Sequence, residues 1–257
     1  MRALVETVLV DGLEIRLRTL APAGEVRDVR RTVLVLVHGI GMSHRTFTRV
    51  QAVLSRRHRT IAVDLPGFGG TRDPGRALQL ADYARLILRV LRDRGVRDCV
   101  VLGQSMGAQV AVESAHHGSD IVRSVVLVGP VVDDARRTIA HLGAELLADN
   151  VVESPRMNGV VLTDYARSLR HYFRQLAPML RYPIRDRVAA LDVPVLVVRG
   201  SRDPIARRDW VERLVGDARR GTLVELPGAH HVQEHQPAAV ARVVEEFLRS
   251  SARDGSR

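Results

Sequence analysis

A set of short, uninterrupted aliphatic runs limits what this chain can fold into more than any other feature. Val33-Leu34-Val35-Leu36-Val37 is apolar at every position, too short for a helix and rich in β-branched residues. Such a run fits a strand buried on both faces, as in a parallel sheet. Similar runs recur at Thr60–Val63, Cys99–Leu102, Ser124–Val128, Val193–Val198 and Thr222–Leu226. Between most of them lie helix-period patterns. Leu80, Ala84, Ile87 and Leu91 make one stripe, and Val240, Val243, Val244, Phe247 and Leu248, opened by Pro237, make another. Upstream, Leu4–Val10 and Leu13–Leu20 flank Asp11-Gly12, a dipeptide that signals a hairpin. Strand alternating with helix predicts an α/β fold around a mostly parallel sheet.

The alternation fails between Gly129 and Asp192. Helix-like patterns over Asp133–Leu147 and Thr163–Leu176 occupy this stretch without a convincing strand. It also holds Tyr165, Tyr172, Phe173 and Tyr182, four of the chain's nine aromatic residues (4 Phe, 4 Tyr, 1 Trp). A simple crossover rarely needs so many residues, so the expectation is a helical lid over a site. The predicted organisation is a core from 1–129 and 193–250, a lid from 130–192 and a flexible tail from 251–257.

Composition excludes more than it assigns. All 39 basic side chains are arginine against 29 acidic ones, giving a net charge of +10 over 257 residues. A basic balance raises nucleic acid as a partner. Here arginine is scattered from Arg2 to Arg257 and only 4% of residues are aromatic, whereas nucleic-acid sites cluster charge with stacking rings. Scattered arginine reads as solvated surface. Cys99 is the lone cysteine, so an intrachain disulfide or a cysteine-based zinc site is excluded. No apolar run approaches the roughly 18 residues of a spanning helix, and Met1–Asp11 lacks a signal-peptide pattern. The expectation is a cytoplasmic protein with no membrane or nucleic-acid partner; homodimer formation stays open.

The chemistry is concentrated in three places. Gly103-Gln104-Ser105-Met106-Gly107 follows the Cys99–Leu102 strand and opens a helix with a small face (Ala108, Ala111, Ala115). This is G-x-S-x-G in its strand–turn–helix setting, where a tight turn lifts the serine clear of the sheet. A serine needs a base, and the base an orienting carboxylate. Asp203 lies just past the Val193–Val198 run, in Gly200-Ser201-Arg202-Asp203-Pro204, and His230-His231 follows the next run. His38-Gly39-Ile40-Gly41 follows the third strand, where a backbone N–H can pair with that of Met106 to hold an oxyanion.

These motifs, in this order, resemble the α/β-hydrolase fold superfamily, specifically its lidded serine hydrolases. The resemblance spans Val33 to Leu248 and rests on HGIG at 38–41, DLPGFG at 64–69, GQSMG at 103–107, GSRDP at 200–204 and AHHVQEHQP at 229–237. It implies a mostly parallel eight-stranded sheet flanked by helices, with the lid inserted after the sixth strand. It further implies Ser105 as nucleophile, Asp203 as acid, His230 as base and the Ile40 and Met106 amides as oxyanion hole. Ala229 stands where the family usually has glycine, and His231 is the alternative base. His38 is expected to brace the oxyanion loop, Asp64 to shape a turn, and His235 to lie at the surface. No cofactor and no metal are implied.

The expected activity is hydrolysis of a carboxylic ester or related acyl bond of a small, largely apolar molecule. Leu142, Leu146, Leu169 and Phe173 are the expected substrate-binding residues, with Leu162, Leu176 and Met179 as further apolar lid surface. Arg136, Arg137, Arg167, Arg170 and Arg174 read as solvated, but would suit a carboxylate in a carbon–carbon bond hydrolase. A hydrolase-like binding protein with little turnover is the competing class.

Overall fold

The computed structural model describes residues 3–22 and 32–254. Eight strands form one sheet: β1 (Leu4–Val10), β2 (Leu13–Leu20), β3 (Val33–Val37), β4 (Thr60–Asp64), β5 (Cys99–Gln104), β6 (Val122–Val128), β7 (Val195–Gly200) and β8 (Gly221–Leu226). Their spatial order is β1-β2-β4-β3-β5-β6-β7-β8. β1 and β2 pair antiparallel, as do β2 and β4; every other pairing is parallel. Asp11 (φ 50°) and Gly12 (φ 77°) turn the first hairpin with two left-handed residues, the geometry that the Asp-Gly dipeptide favours.

The continuous apolar runs follow from burial on both faces. Val33, Val35 and Val37 point into one core, and Leu34 and Leu36 into the other. The first is closed by α2 (Leu80–Asp93), α3 (Met106–His117) and α7 (Arg208–Asp217); the second by α1 (Thr48–Leu54) and α9 (Pro237–Asp254). Side chains alternate across a strand, so a strand between two cores has no position left for a polar residue. The stripe Leu80, Ala84, Ile87 and Leu91 is buried as expected.

After β6 come α4 (Ile139–Val152), α5 (Pro155–Arg181) and α6 (Ile184–Ala189). α4 starts later than the expected Asp133, because Asp133 caps a single 3-10 turn and Thr138 caps α4 by accepting His141 N–H (3.2 Å). α5 runs 27 residues, beyond the expected Thr163–Leu176 at both ends. Ser154 caps it at Met157 N–H (3.2 Å), with Pro155 in its first turn. α6 buries Ile184 and Val188 in the main core against α3 and α7, so it packs as part of the body. α9 continues through Asp254, so the expected tail begins as helix over 251–254. No helix among the described residues is long and apolar enough to cross a membrane.

Trp210 on α7 is fully buried and donates its indole N–H to Pro130 O (3.1 Å). Trp210→Ala removes both the packing and the bond, and is expected to cost about 3–5 kcal/mol. Urea denaturation followed by circular dichroism measures this; a loss below about 1 kcal/mol would show that the side chain is not part of the cooperative core.

Candidate active site

Ser105 sits between β5 and α3 with φ 56° and ψ −121°. A left-handed conformation is costly for a residue with a Cβ, and the neighbours hold it there. A Cβ on Gly103 would lie 1.9 Å from Gly107 O, and one on Gly107 would lie 2.1 Å from Val37 O. Strand, turn and helix therefore pack at a distance only glycine allows. Ser105 N–H donates to Val128 O (2.9 Å) and Ala108 N–H to Ser105 O (2.9 Å), closing the turn on both sides.

Asp203 and His230 meet from the loops after β7 and β8. His230 Nδ1 lies 2.9 Å from Asp203 Oδ2, and both side chains are buried. The other carboxylate oxygen of Asp203 accepts the N–H groups of Ile205 (2.8 Å) and Ala206 (2.9 Å). Burial alone would raise the Asp203 carboxyl. The charge and hydrogen bond of His230, with the two backbone donors, outweigh it and hold the carboxyl below its ordinary value. Burial would likewise lower His230, but Asp203, and beyond it Asp149 and Glu153, outweigh burial and raise it.

Ser105, His230, Gly39 and Ile40 line one small cavity of about 20 Å³, with Met106 directly after Ser105 at the start of α3. The loop bearing Ile40 is fixed by His38, whose Nε2 accepts Leu65 N–H (3.1 Å) while Nδ1 donates to Gly39 O (2.7 Å). That pairing leaves His38 neutral, with its proton on Nδ1. Asp64 accepts His44 N–H (2.6 Å) and lies against the His44 ring (2.9 Å).

His231 is engaged elsewhere. Its Nδ1 lies 3.1 Å from Oε1 of Glu153, the residue that caps α4, while His235 Nε2 lies 2.7 Å from Glu153 Oε2. Of the two adjacent histidines, the one against Asp203 is His230. His235 is half-buried rather than a free surface residue.

Leu146 from α4, Tyr165 and Met179 from α5, and Met42, Gln104, Val131, Ile205 and His231 line the rest of the cavity. Of the expected substrate-binding residues, Leu146 is there. The Leu142 side chain lies outside the described residues. Leu169 and Phe173 do not line the cavity: they are 52% and 63% exposed, and Leu162 is exposed as well. The reason is that α5 turns a partly polar face inward. Ser43 Oγ donates to Asp164 Oδ2 (2.5 Å), Ser168 Oγ to Gly41 O (3.2 Å) and Gln175 Nε2 to Leu78 O (2.7 Å), while Tyr83 Oη pairs with His171 Nε2 (2.7 Å). With each of these side chains bonded, burying the face costs little, and the leucines on the opposite side are left in solvent. A larger groove of about 600 Å³ between α2, α3 and the end of α5 is lined by residues such as Arg85, Arg181 and Tyr182 and contains none of these groups.

A family model for the alpha/beta hydrolase family matches residues 34–243. The chain belongs to the alpha/beta hydrolase family. It is 28% identical to 2-(acetamidomethylene)succinate hydrolase of Mesorhizobium japonicum over 84% of this chain and 87% of that protein. It is 27% identical to pimeloyl-[acyl-carrier protein] methyl ester esterase of Pectobacterium carotovorum subsp. carotovorum over 83% and 93%. Among solved structures, the enol-lactonase from Burkholderia xenovorans superimposes with a TM-score of 0.78 at 20% identity, covering 95% of this chain and all of that one.

Two further features of this hydrolase's site carry little sequence signal. Gly129, at φ 52°, stands where a Cβ would lie 2.9 Å from His230 Nδ1 and 3.2 Å from Asp203 Oδ2, so the pair closes over a missing side chain. The other is the pair Asp149, in the last turn of α4, and Glu153, which caps that helix. Asp149, Glu153 and His231 cluster closely, but their polar atoms serve one another and the backbone N–H groups of His230 and His231.

The raised His230 gives a stability signature. A group whose folded pKa exceeds its unfolded value of about 6.5 contributes stability that is complete below that value and lost as pH rises through the folded one. The melting temperature is therefore expected to fall as pH rises from about 6.5, and to fall less in Asp203→Asn. Equal slopes in the two proteins would contradict the His230–Asp203 pairing.

Proposed function

We propose that this alpha/beta hydrolase is a serine hydrolase that cleaves a carboxylic ester or related acyl bond by way of an acyl-enzyme. The observation that carries the reading is convergence: a strained serine and the histidine of a buried Asp–His pair line one cavity together with Gly39 and Ile40 of the loop after β3. Ser105 Oγ attacks the substrate carbonyl carbon while His230 takes its proton. Asp203 fixes the imidazole with its Nδ1 proton toward the carboxylate and stabilises the imidazolium that forms. The Ile40 and Met106 amides receive the negative oxygen, each such donor being worth about 2.7–4 kcal/mol. Collapse expels the leaving group with the proton from His230, and water activated by the same histidine releases the acid.

Ile40, Met42, Val131, Leu146, Met179 and Ile205 supply apolar walls, which suits a small, largely apolar acyl group. No arginine lines this cavity among the described residues, and Arg167, Arg170 and Arg174 face outward on α5. This favours an uncharged acyl group over the carboxylate-bearing product of ring cleavage. The relatives named above include an ester hydrolase and a lactonase, in keeping with acyl-bond chemistry. A cavity of about 20 Å³ holds little more than a water molecule. On this reading substrate enters by displacement of α4 and α5, and the small cavity supports taking the helical insertion as a lid.

Turnover of p-nitrophenyl esters of two to eight carbons tests the reading. The wild type is expected to hydrolyse them, and Ser105→Ala to lose at least about a thousandfold in kcat. Retention of wild-type turnover by Ser105→Ala would refute Ser105 as nucleophile.

A further inference from the structure

The loop that carries His230 is held by the lid helix. His230 N–H donates to Asp149 Oδ1 (3.1 Å), and the next N–H, from His231, donates to Glu153 Oε1 (2.9 Å). Asp149 lies in the last turn of α4 and Glu153 is the residue that caps its C-terminus, its own N–H donating to Asp149 O (2.9 Å), so the two carboxylates stand together at the end of the helix and take two successive amides. Glu153 is further clamped by the rings of His231 (3.1 Å) and His235 (2.7 Å). Both carboxylates are buried, at 4% and 7% residue exposure. Buried carboxylates facing outside their own helix are expensive unless they are bonded. Apart from the Ser154 N–H that Glu153 Oε2 also accepts (3.3 Å), the bonds these carboxylates make tie the insertion to the segment His230–His235.

We propose that Asp149 and Glu153 are positioning residues through which closure of α4 sets the orientation and basicity of the His230 imidazole. This rests on the serine-hydrolase reading above and adds to it a link between lid and base. The groups facing His230 are Asp203 from the loop after β7, Asp149 and Glu153 from the end of α4, and the adjacent His231 ring at 5.3 Å. The nearby Glu234 of α8 (Val232–His235) is paired with Arg49 and Arg156. With α4 seated, Asp203 contacts the imidazole while Asp149 and Glu153 add their charge from the backbone side of the loop, and the imidazolium formed when Ser105 gives up its proton is stabilised. With α4 displaced, the two lid carboxylates leave, the loop loses both amide acceptors, and Asp203 alone remains. Closure over the substrate therefore completes the base.

Burial alone would raise the Glu153 carboxyl, but His231 and His235 outweigh it and hold it at about 2, so it stays charged throughout the working range. Burial raises Asp149 above its ordinary value, offset in part by His230 and His231.

Asp149→Asn separates position from charge, because the amide oxygen still accepts His230 N–H. The measurement is the His230 imidazole titration by ¹H–¹⁵N NMR, beside the pH profile of kcat/KM for an ester. Removing one nearby negative charge is expected to move both to lower pH by at least about half a unit. Glu153→Gln is expected to lower kcat about tenfold with KM changed less than about twofold, because the lost clamp disorders the base and leaves the acyl pocket intact. It also serves as the second charge variant should Asp149→Asn fail to fold. A His230 titration at the wild-type pH in whichever of the two folds overturns the proposal, whatever happens to melting temperature. Failure of the underlying reading is distinct: it shows as Ser105→Ala retaining ester turnover, which the NMR titration does not depend on.

Discussion

The site depends on how closely β5 and α3 approach at Ser105. The two glycines flanking it have no room for a side chain: their hypothetical Cβ atoms fall 1.9 and 2.1 Å from backbone oxygens. That approach forces the serine into left-handed space at a cost of about 1–3 kcal/mol. β5 is held in register by β3 on one side and β6 on the other, and the buried cores on both sheet faces absorb the cost. Replacing Gly103 would push α3 away from β5, and replacing Gly107 would push it away from the end of β3; either relaxes the turn, and the hydroxyl would lose its place at the cavity edge.

The sheet does the rest. β3 through β8 run parallel, so their carboxyl ends open on one rim, where ligands of open α/β sheets are found. His38–Gly41 follows β3, Ser105 follows β5, Gly129 follows β6, Asp203 follows β7 and His230 follows β8. Residues far apart in sequence meet because each is the first irregular segment after its strand. The insertion after β6 covers that rim, and α4 reaches the loop after β8 through Asp149 and Glu153.

Much of this was legible in the sequence, for identifiable reasons. The apolar runs located the strands because burial on both faces leaves no polar position. Asp11-Gly12 located the hairpin because a two-residue turn of that hand needs left-handed residues. Ser105, Asp203 and His230 stood at strand ends marked by glycine and proline. The helical insertion resisted reading because its inner face is not its most apolar face. Asp164, Ser168, His171 and Gln175 are buried with hydrogen-bond partners on other segments, and those partners cannot be inferred from α5 alone. Hydrophobicity therefore placed Leu169 and Phe173 inward, whereas they face solvent. The roles of His231 and His235 were hidden for the same reason, since the carboxylate they share comes from the cap of a helix some 80 residues earlier in the chain (separations of 78 and 82).

The most direct test of the central claim is covalent. A fluorophosphonate is attacked at its tetrahedral phosphorus by a serine activated by a base beside oxyanion donors, losing fluoride and leaving a phosphonyl-serine that resembles the tetrahedral intermediate of acyl transfer. Treatment of the native protein, followed by tryptic digestion and mass spectrometry, is predicted to give one adduct, on Ser105, lost when the protein is unfolded before exposure. No adduct, or an adduct on a serine away from the β5–α3 turn, would contradict the assignment and return the molecule to the class of hydrolase-like binding proteins.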